Sequence, residues 1–224
     1  MVDNRLPAWR RVTDGETRWS AAAVVVATLA LQLALPDRMV LQPWWLLPAL
    51  TALLIVTLLL LNPGRISEFN TVERVLSLVA LAVVSVLNGI SAVQLVLGIA
   101  EGSFHGRAVQ VLISGAVVYW TNIVVFSLWY WEFDRGGPAR RAAGRASYPD
   151  LQFPQMDNPA TAKPDWEPRY LDYLYLSFTN ASAFSPTDVM PLRIWAKMTM
   201  MVQAGISLLL ALMVFAWAVG DLQS

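Results

Sequence analysis

Five stretches of this chain contain no Asp, Glu, Lys or Arg: Trp19–Pro36, Met39–Pro63, Val75–Ala100, Ala108–Trp131 and Met198–Gly220. An apolar run of about 20 residues is the length at which a helix crosses the hydrocarbon core of a bilayer. There, only a segment that satisfies its own backbone polar groups is stable. The last three runs meet that length easily. The second meets it through Trp44–Leu61, which is almost pure Leu, Ile, Val, Ala and Thr. The first, Trp19–Leu35, is short and carries a single Gln32. Soluble domains are about a quarter charged, whereas only 14% of these 224 residues are, and they lie between the runs. The sequence therefore predicts an all-α membrane protein with five transmembrane helices. The Arg10-Arg11 pair ahead of the first run has the order of a secretory signal. The run ends in Leu-Ala-Leu-Pro with no small-x-small cleavage site, so an uncleaved signal-anchor is expected.

Composition removes several classes of chemistry. With no Cys, disulfides, zinc ribbons, iron–sulfur clusters and thiol catalysis are excluded. A lone His105 leaves no His-based metal site or Ser-His-Asp triad within one chain. A net charge of zero argues against a nucleic-acid partner. No metal, cofactor or enzymatic activity is expected.

Orientation follows from the basic residues, which are retained on the cytoplasmic side. One side receives the N-tail (Arg5, Arg10, Arg11, Arg18), the second loop (Arg65, Arg74), the long loop (Arg135 to Arg169) and the start of the last span (Arg193, Lys197). That side holds fourteen basic residues, and the other holds only Arg38 and Arg107. The expected topology in a cell inner (plasma) membrane is N-terminus cytoplasmic and C-terminus outside. Trp129, Tyr130, Trp131 and Phe133 then fall at the cytoplasmic interface, and Trp44 and Trp45 at the outer one.

Between Asp172 and Asp188 lie fifteen uncharged residues. As a helix they reach about 22 Å, too little to cross. The first half reads helical, and from Ser182 the segment is small, polar and broken by Pro186. Irregular backbone at membrane depth is tolerated only where protein or a water-filled cavity covers it. Composition alone leaves an interfacial helix and a re-entrant loop equally open.

Residues Leu174 to Lys197 resemble the pore loop of tetrameric potassium channels. That family has a pore helix containing an aromatic-rich Trp-Trp-Ser or Tyr-Phe-Ser, then Thr-x-Thr-Thr-Val-Gly-Tyr-Gly-Asp, then x-x-Pro, then Trp-Gly-Arg opening the inner helix. This chain reads Tyr175-Leu176-Ser177, then Ala181 through Asp188, then Pro191, then Trp195-Ala196-Lys197, without a gap. The resemblance covers roughly Ala108 to Gly220. It implies two regions: an N-terminal three-helix membrane region, 1–107, and a pore-module-like region, 108–224, with outer helix, long polar loop, re-entrant loop and inner helix. It also implies a homotetramer in the bilayer conducting small ions. The filter-like residues are Ser182, Ala183, Phe184, Ser185, Pro186, Thr187 and Asp188. Gln203, Ser207 and Ala211 would line the inner helix. The same stretch resembles an uncharacterised family of small predicted bacterial membrane proteins, through Phe126–Trp131 and Asp172–Thr179, which implies a fold and no activity.

Departures from the channel pattern shape the expectation. A potassium filter strips the ion's water with rings of backbone carbonyls. Two glycines allow that backbone, in conformations costly for residues with a Cβ. Here Ser185 and Thr187 stand at the glycine positions and Pro186, with φ fixed, at the tyrosine. A filter of that geometry cannot form. Candidate lining groups are the hydroxyls of Ser182, Ser185 and Thr187, with Phe184 as an apolar gate. The charge count also inserts the loop from the cytoplasm, whereas potassium channels insert it from outside. Ionotropic glutamate receptors have the inverted insertion, so the arrangement is not forbidden. Loss of the glycines keeps a second expectation open: a non-conducting relative acting as a structural or partner-binding membrane protein.

Elsewhere, Ala82, Ser85, Gly89 and Ala92 read as a small-residue packing stripe, and Asn88, Ser91 and Asn122 as interhelical hydrogen-bonding groups. The loop Glu132–Arg169, with six prolines, reads as too polar and interrupted for a core of its own. Within it Glu132, Asp134 and Arg135 suggest a salt-bridged collar. Arg140, Arg141 and Arg145 suggest a positive-inside anchor or attraction to anionic headgroups. His105 reads as a solvated loop residue.

Overall fold

The computed structural model describes residues 6–34, 45–60, 71–104, 107–145, 148–158, 160, 162–182 and 188–221. In chain order the elements are α1 (Trp19–Leu33), α2 (Leu46–Leu60), α3 (Thr71–Ala100), α4 (Ala108–Phe133), α5 (Pro138–Ala142), β1 (Leu151–Gln152), α6 (Pro154–Asp157), α7 (Tyr170–Ser182), β2 (Met190–Pro191) and α8 (Ile194–Asp221). Single 3₁₀ turns lie at Ala8–Arg10 and Asp134–Gly136. Three segments are long and apolar enough to cross a membrane: Arg74–Ala100, Val109–Ala142 and Ile194–Gly220. The helices of the first two charge-free runs, α1 and α2, are shorter and apolar. An all-α protein built around membrane-length helices is what the charge-free runs imply.

α4 is the central helix, packed by α1, α3, α7 and α8. Contacts fix which ends lie together. Arg74 at the start of α3 donates to the Glu132 carbonyl near the end of α4 (3.5 Å). Glu16, just ahead of α1, accepts from the Trp131 indole and from the Tyr170 backbone N–H at the start of α7 (2.9 Å). Trp195 at the start of α8 stacks edge-on against Phe133, with centroids 5.5 Å apart. The starts of α1, α3, α7 and α8 therefore gather around the end of α4, hereafter the loop end. At the other end Phe104 packs edge-on against Trp217 (6.4 Å).

The buried face of each long helix follows the 3.6-residue period. On α8 it is Ala196, Met200, Gln203, Ser207, Leu210, Val214 and Ala218. Successive steps of four over-rotate by about 40° each, so Ala211, grouped with Gln203 and Ser207 in the sequence, is exposed and Leu210 takes its place. On α3 the face runs through Ser77, Leu81, Val84, Asn88, Ser91 and Leu95. Most of the expected small-residue stripe is rotated out of it: Ala92 is buried, but Ala82, Ser85 and Gly89 are half-buried, and a Cβ on Gly89 would meet nothing within 4 Å. The close approach is instead at Gly115 of α4, where a Cβ would stand 2.8 Å from Val214 of α8.

The long loop departs most from its expectation. Leu151 and Phe153 are buried, and Phe153 packs edge-on against Tyr173 (5.3 Å) and Trp166 (6.1 Å). The loop does have a core, because other segments complete it: Trp131 from α4, Tyr170 and Tyr173 from α7. The N-tail adds Thr13, whose N–H bonds the Ala142 carbonyl (2.9 Å). Together these form a folded cap on the loop end.

Candidate functional site

Two polar clusters stand at and below the loop end. The upper one is built on Asp134. Its Oδ1 accepts the backbone N–H groups of Asp150 (3.1 Å) and Leu151 (3.3 Å). Its Oδ2 accepts the Tyr173 hydroxyl (2.6 Å) and Arg135 Nε (3.3 Å). The Asp134–Arg135 pair of the expected collar is buried on both sides. Arg135 adopts φ 54°, a left-handed conformation that costs a residue with a Cβ. It is held there by Nη1 donating to the Trp9 carbonyl (2.6 Å) and its own N–H to Asp150 Oδ2 (2.9 Å).

Arg141 is not an exposed anchor. It is buried and donates through Nη1 to the carbonyls of Trp131 (2.6 Å) and Asp134 (3.0 Å), with Nη2 3.3 Å from Glu16. Six prolines and three glycines in the loop around it give the sequence a loop signature, and only the fold reveals the carbonyls that Arg141 caps. Burial pushes the Glu16 carboxyl above the usual carboxylate range, against the pull of Arg141 and the Trp131 and Tyr170 N–H groups. A cavity of about 720 Å³ opens beside this cluster between the N-tail and residues 165–172, lined by Thr13, Glu16, Asp165, Glu167, Arg169 and Asp172 among others. Burial likewise raises the Asp172 carboxyl, although the Arg169 N–H and guanidinium oppose it.

The lower cluster joins α4, α7 and α8. Gln203 Oε1 accepts from the Tyr130 hydroxyl (2.7 Å) and Asn180 Nδ2 (2.8 Å). Its Nε2 donates to the Ser177 carbonyl (2.9 Å) and hydroxyl (2.6 Å). Ser177 in turn donates to the Ile123 carbonyl (2.6 Å). One turn further from the loop end, Asn122 donates to Ser207 (3.1 Å). Near the end of α7 the Tyr119 hydroxyl donates to the Ala181 carbonyl (2.8 Å).

The residues singled out in the sequence separate accordingly. Ala183, Phe184, Ser185, Pro186 and Thr187 lie outside the described residues. Ser182, the last residue of α7, is exposed and donates to the Phe178 carbonyl (2.6 Å). Asp188 is exposed, just ahead of β2. Gln203 and Ser207 are brought together on one face, but that face packs against α4 and α7 of the same chain. Ala211 faces away from it. Asn122 finds an interhelical partner, whereas Asn88 Oδ1 and Ser91 Oγ are buried without one among the described residues. Among the described residues no three His, Cys, Asp or Glu side chains come together as a metal site.

Sequence reading missed Tyr130, Ser177 and Asn180. Tyr130 read as an interface aromatic and Ser177 only as a match to the channel pattern. Their shared partner sits at least 23 residues away along the chain, beyond any local spacing rule. Comparison with family models, curated proteins and solved structures gives no match.

Proposed function

We propose that the chain is an integral membrane protein of the pore-loop type, in which α7 and the segment after it form a re-entrant hairpin entered from the cytoplasmic side. One observation carries this reading. α7 starts at the loop end, and its Ala181 carbonyl meets Tyr119, fourteen residues, or about 21 Å, back along α4 from Phe133. Yet Met190–Pro191 pairs antiparallel with Leu151–Gln152, and the Leu192 N–H bonds the Asp150 carbonyl (2.9 Å), back at the loop end. α7 and α8 thus leave the same end side by side, with the end of α7 at depth beside Tyr119 and Met190–Pro191 back at that end.

In this reading five helices cross a plasma membrane, with the N-terminus cytoplasmic and the C-terminus outside. Four copies place their 182–188 turns around an axis and pass small ions through a constriction lined by side chains. The absence of glycine at positions 185 and 187 makes that constriction unlike a potassium filter. Ser182, Ser185 and Thr187 supply hydroxyls, Asp188 a carboxylate at the mouth, and Phe184 an apolar ring that dewets the gate.

Purified protein in liposomes, assayed for flux of several ions, tests the proposal. Weakly selective flux that rises in Phe184→Ala and changes cation preference in Asp188→Asn is expected. Strong potassium selectivity would refute the steric argument. The second reading, a non-conducting relative with a structural or partner-binding role, draws support from α8. Its two buried polar residues, Gln203 and Ser207, are sealed inside the subunit, and its exposed face carries Met201, Val202, Leu208, Leu212 and Phe215. No flux from folded protein, in the native chain or in Phe184→Ala, would favour it.

A further inference from the structure

We infer that Gln203 is the positioning residue of the hairpin, a side chain that fixes the depth at which α7 sits against α8, and not a group that lines a pathway. The inference rests on the re-entrant reading and assigns it a mechanical centre. A glutamine side chain has two acceptor sites and two N–H donors, and here all four are used, by three residues on two helices. The orientation of the amide is determined. The Ser177 carbonyl can only accept, so it must face Nε2. Asn180 Nδ2 also donates to the Met200 carbonyl (3.0 Å) and is therefore the donor toward Oε1.

The three helices joined are the outer, re-entrant and inner helices of the pore-like module. Gln203 is fully buried, so no water replaces a lost partner, and each group left without one carries the full penalty of its desolvation. α7 has 13 residues and a polar, hydroxyl-rich end, so apolar packing alone pins its depth weakly. A slide of α7 along α8 by one turn, about 5 Å, breaks both bonds to Ser177 and the bond to Asn180 together. Gln203 thus holds one register and penalises its neighbours.

The test uses spin labels in the chain, which has no native cysteine. Paired labels at Ser182→Cys and Tyr148→Cys report the depth of the hairpin end against the cap. A second pair, Tyr148→Cys with Val12→Cys, reports the cap alone. With Gln203 present, the first pair should give one narrow distance distribution. Gln203→Leu should broaden or shift it by about 5 Å, one helical turn, and leave the cap pair unchanged. Gln203→Glu, which keeps both acceptor sites for Tyr130 and Asn180, should give a smaller change and serves if the Leu variant does not fold. An unchanged narrow distribution in a folded Gln203→Leu or Gln203→Glu protein overturns the inference while leaving the hairpin intact. Failure of the hairpin itself is seen separately, as labelling of position 188 from the side opposite position 148.

Discussion

The half of the molecule around α4, α7 and α8 and the half formed by α1, α2 and α3 bury polar side chains in different ways. In the first, every buried polar group at the two clusters is matched: Asp134 takes four donors and Gln203 makes four bonds. In the second, Gln32 Oε1, Ser77 Oγ, Asn88 Oδ1 and Ser91 Oγ are buried with no partner among the described residues. A saturated polar group specifies one arrangement, because any other leaves donors and acceptors unmade in a low-dielectric interior. An unsaturated one specifies less. The hairpin half is therefore held in register by clusters of directional bonds, and the N-terminal half by apolar packing with isolated bonds to α4, from Trp129 to Ser85 (2.9 Å), Trp120 to Thr28 (3.1 Å) and Gln32 to Thr121 (3.4 Å).

The largest effect that follows is at the cap. Asp134→Ala leaves Arg135 buried without its carboxylate and frees the N–H groups of Asp150 and Leu151, so a loss of about 3–5 kcal/mol is expected. Thermal unfolding in detergent measures it, and a loss below that of an ordinary surface change would show that the cap is not built on Asp134. Next, Ser177→Ala removes the hydroxyl between Gln203 and the Ile123 carbonyl and should cost about 1–3 kcal/mol. Asn88→Leu should have the opposite sign. Replacing a side chain whose buried Oδ1 has no partner among the described residues with an apolar one of similar size is expected to be neutral or stabilising by about 1 kcal/mol. A loss as large as that of Ser177→Ala would mean that the two halves do not differ as described.

The smallest effect is a pH dependence of the N-tail. Glu16 has its carboxyl raised by burial, so the docked tail binds a proton more readily than the free tail. Docking is therefore strongest below the ordinary carboxylate range and weakens as pH rises through the raised value. The anisotropy of a fluorophore at Val12→Cys should fall from pH 5 to pH 8, and Glu16→Gln should remove that difference. A fall that survives in Glu16→Gln would assign the titration to another group.

Helices of membrane length were legible because lipid forbids charge, and Val75–Ala100, Ala108–Trp131 and Met198–Gly220 contain none. The end of α7 was legible for a different reason, since the segment turns small and polar from Ser182, where the helix stops, whereas Asp172 lies inside its first turn. The inward face of α8 was legible in part: Gln203 and Ser207 are buried, but a second step of four carried the reading to Ala211 instead of Leu210. The cap was not legible. Its core combines Phe153, Trp131 and Tyr173 from three separated segments, and proline spacing speaks only of local backbone. Arg141 shows the same limit. An arginine in a basic run is normally solvated, and the backbone carbonyls that bury this one come from residues whose folding the run does not encode.

The central claim is that the chain leaves the loop end as α7 and returns to it before α8 begins. Labelling of single cysteines with a membrane-impermeant thiol reagent in oriented vesicles tests it most directly, at three exposed positions: Tyr148 in the cap, Asp188 ahead of β2, and Ser103 between α3 and α4. The account predicts that Tyr148→Cys and Asp188→Cys react from the cytoplasmic side and Ser103→Cys from the other. Reaction of Asp188→Cys from the same side as Ser103→Cys would mean that α7 crosses the membrane, and would contradict the hairpin.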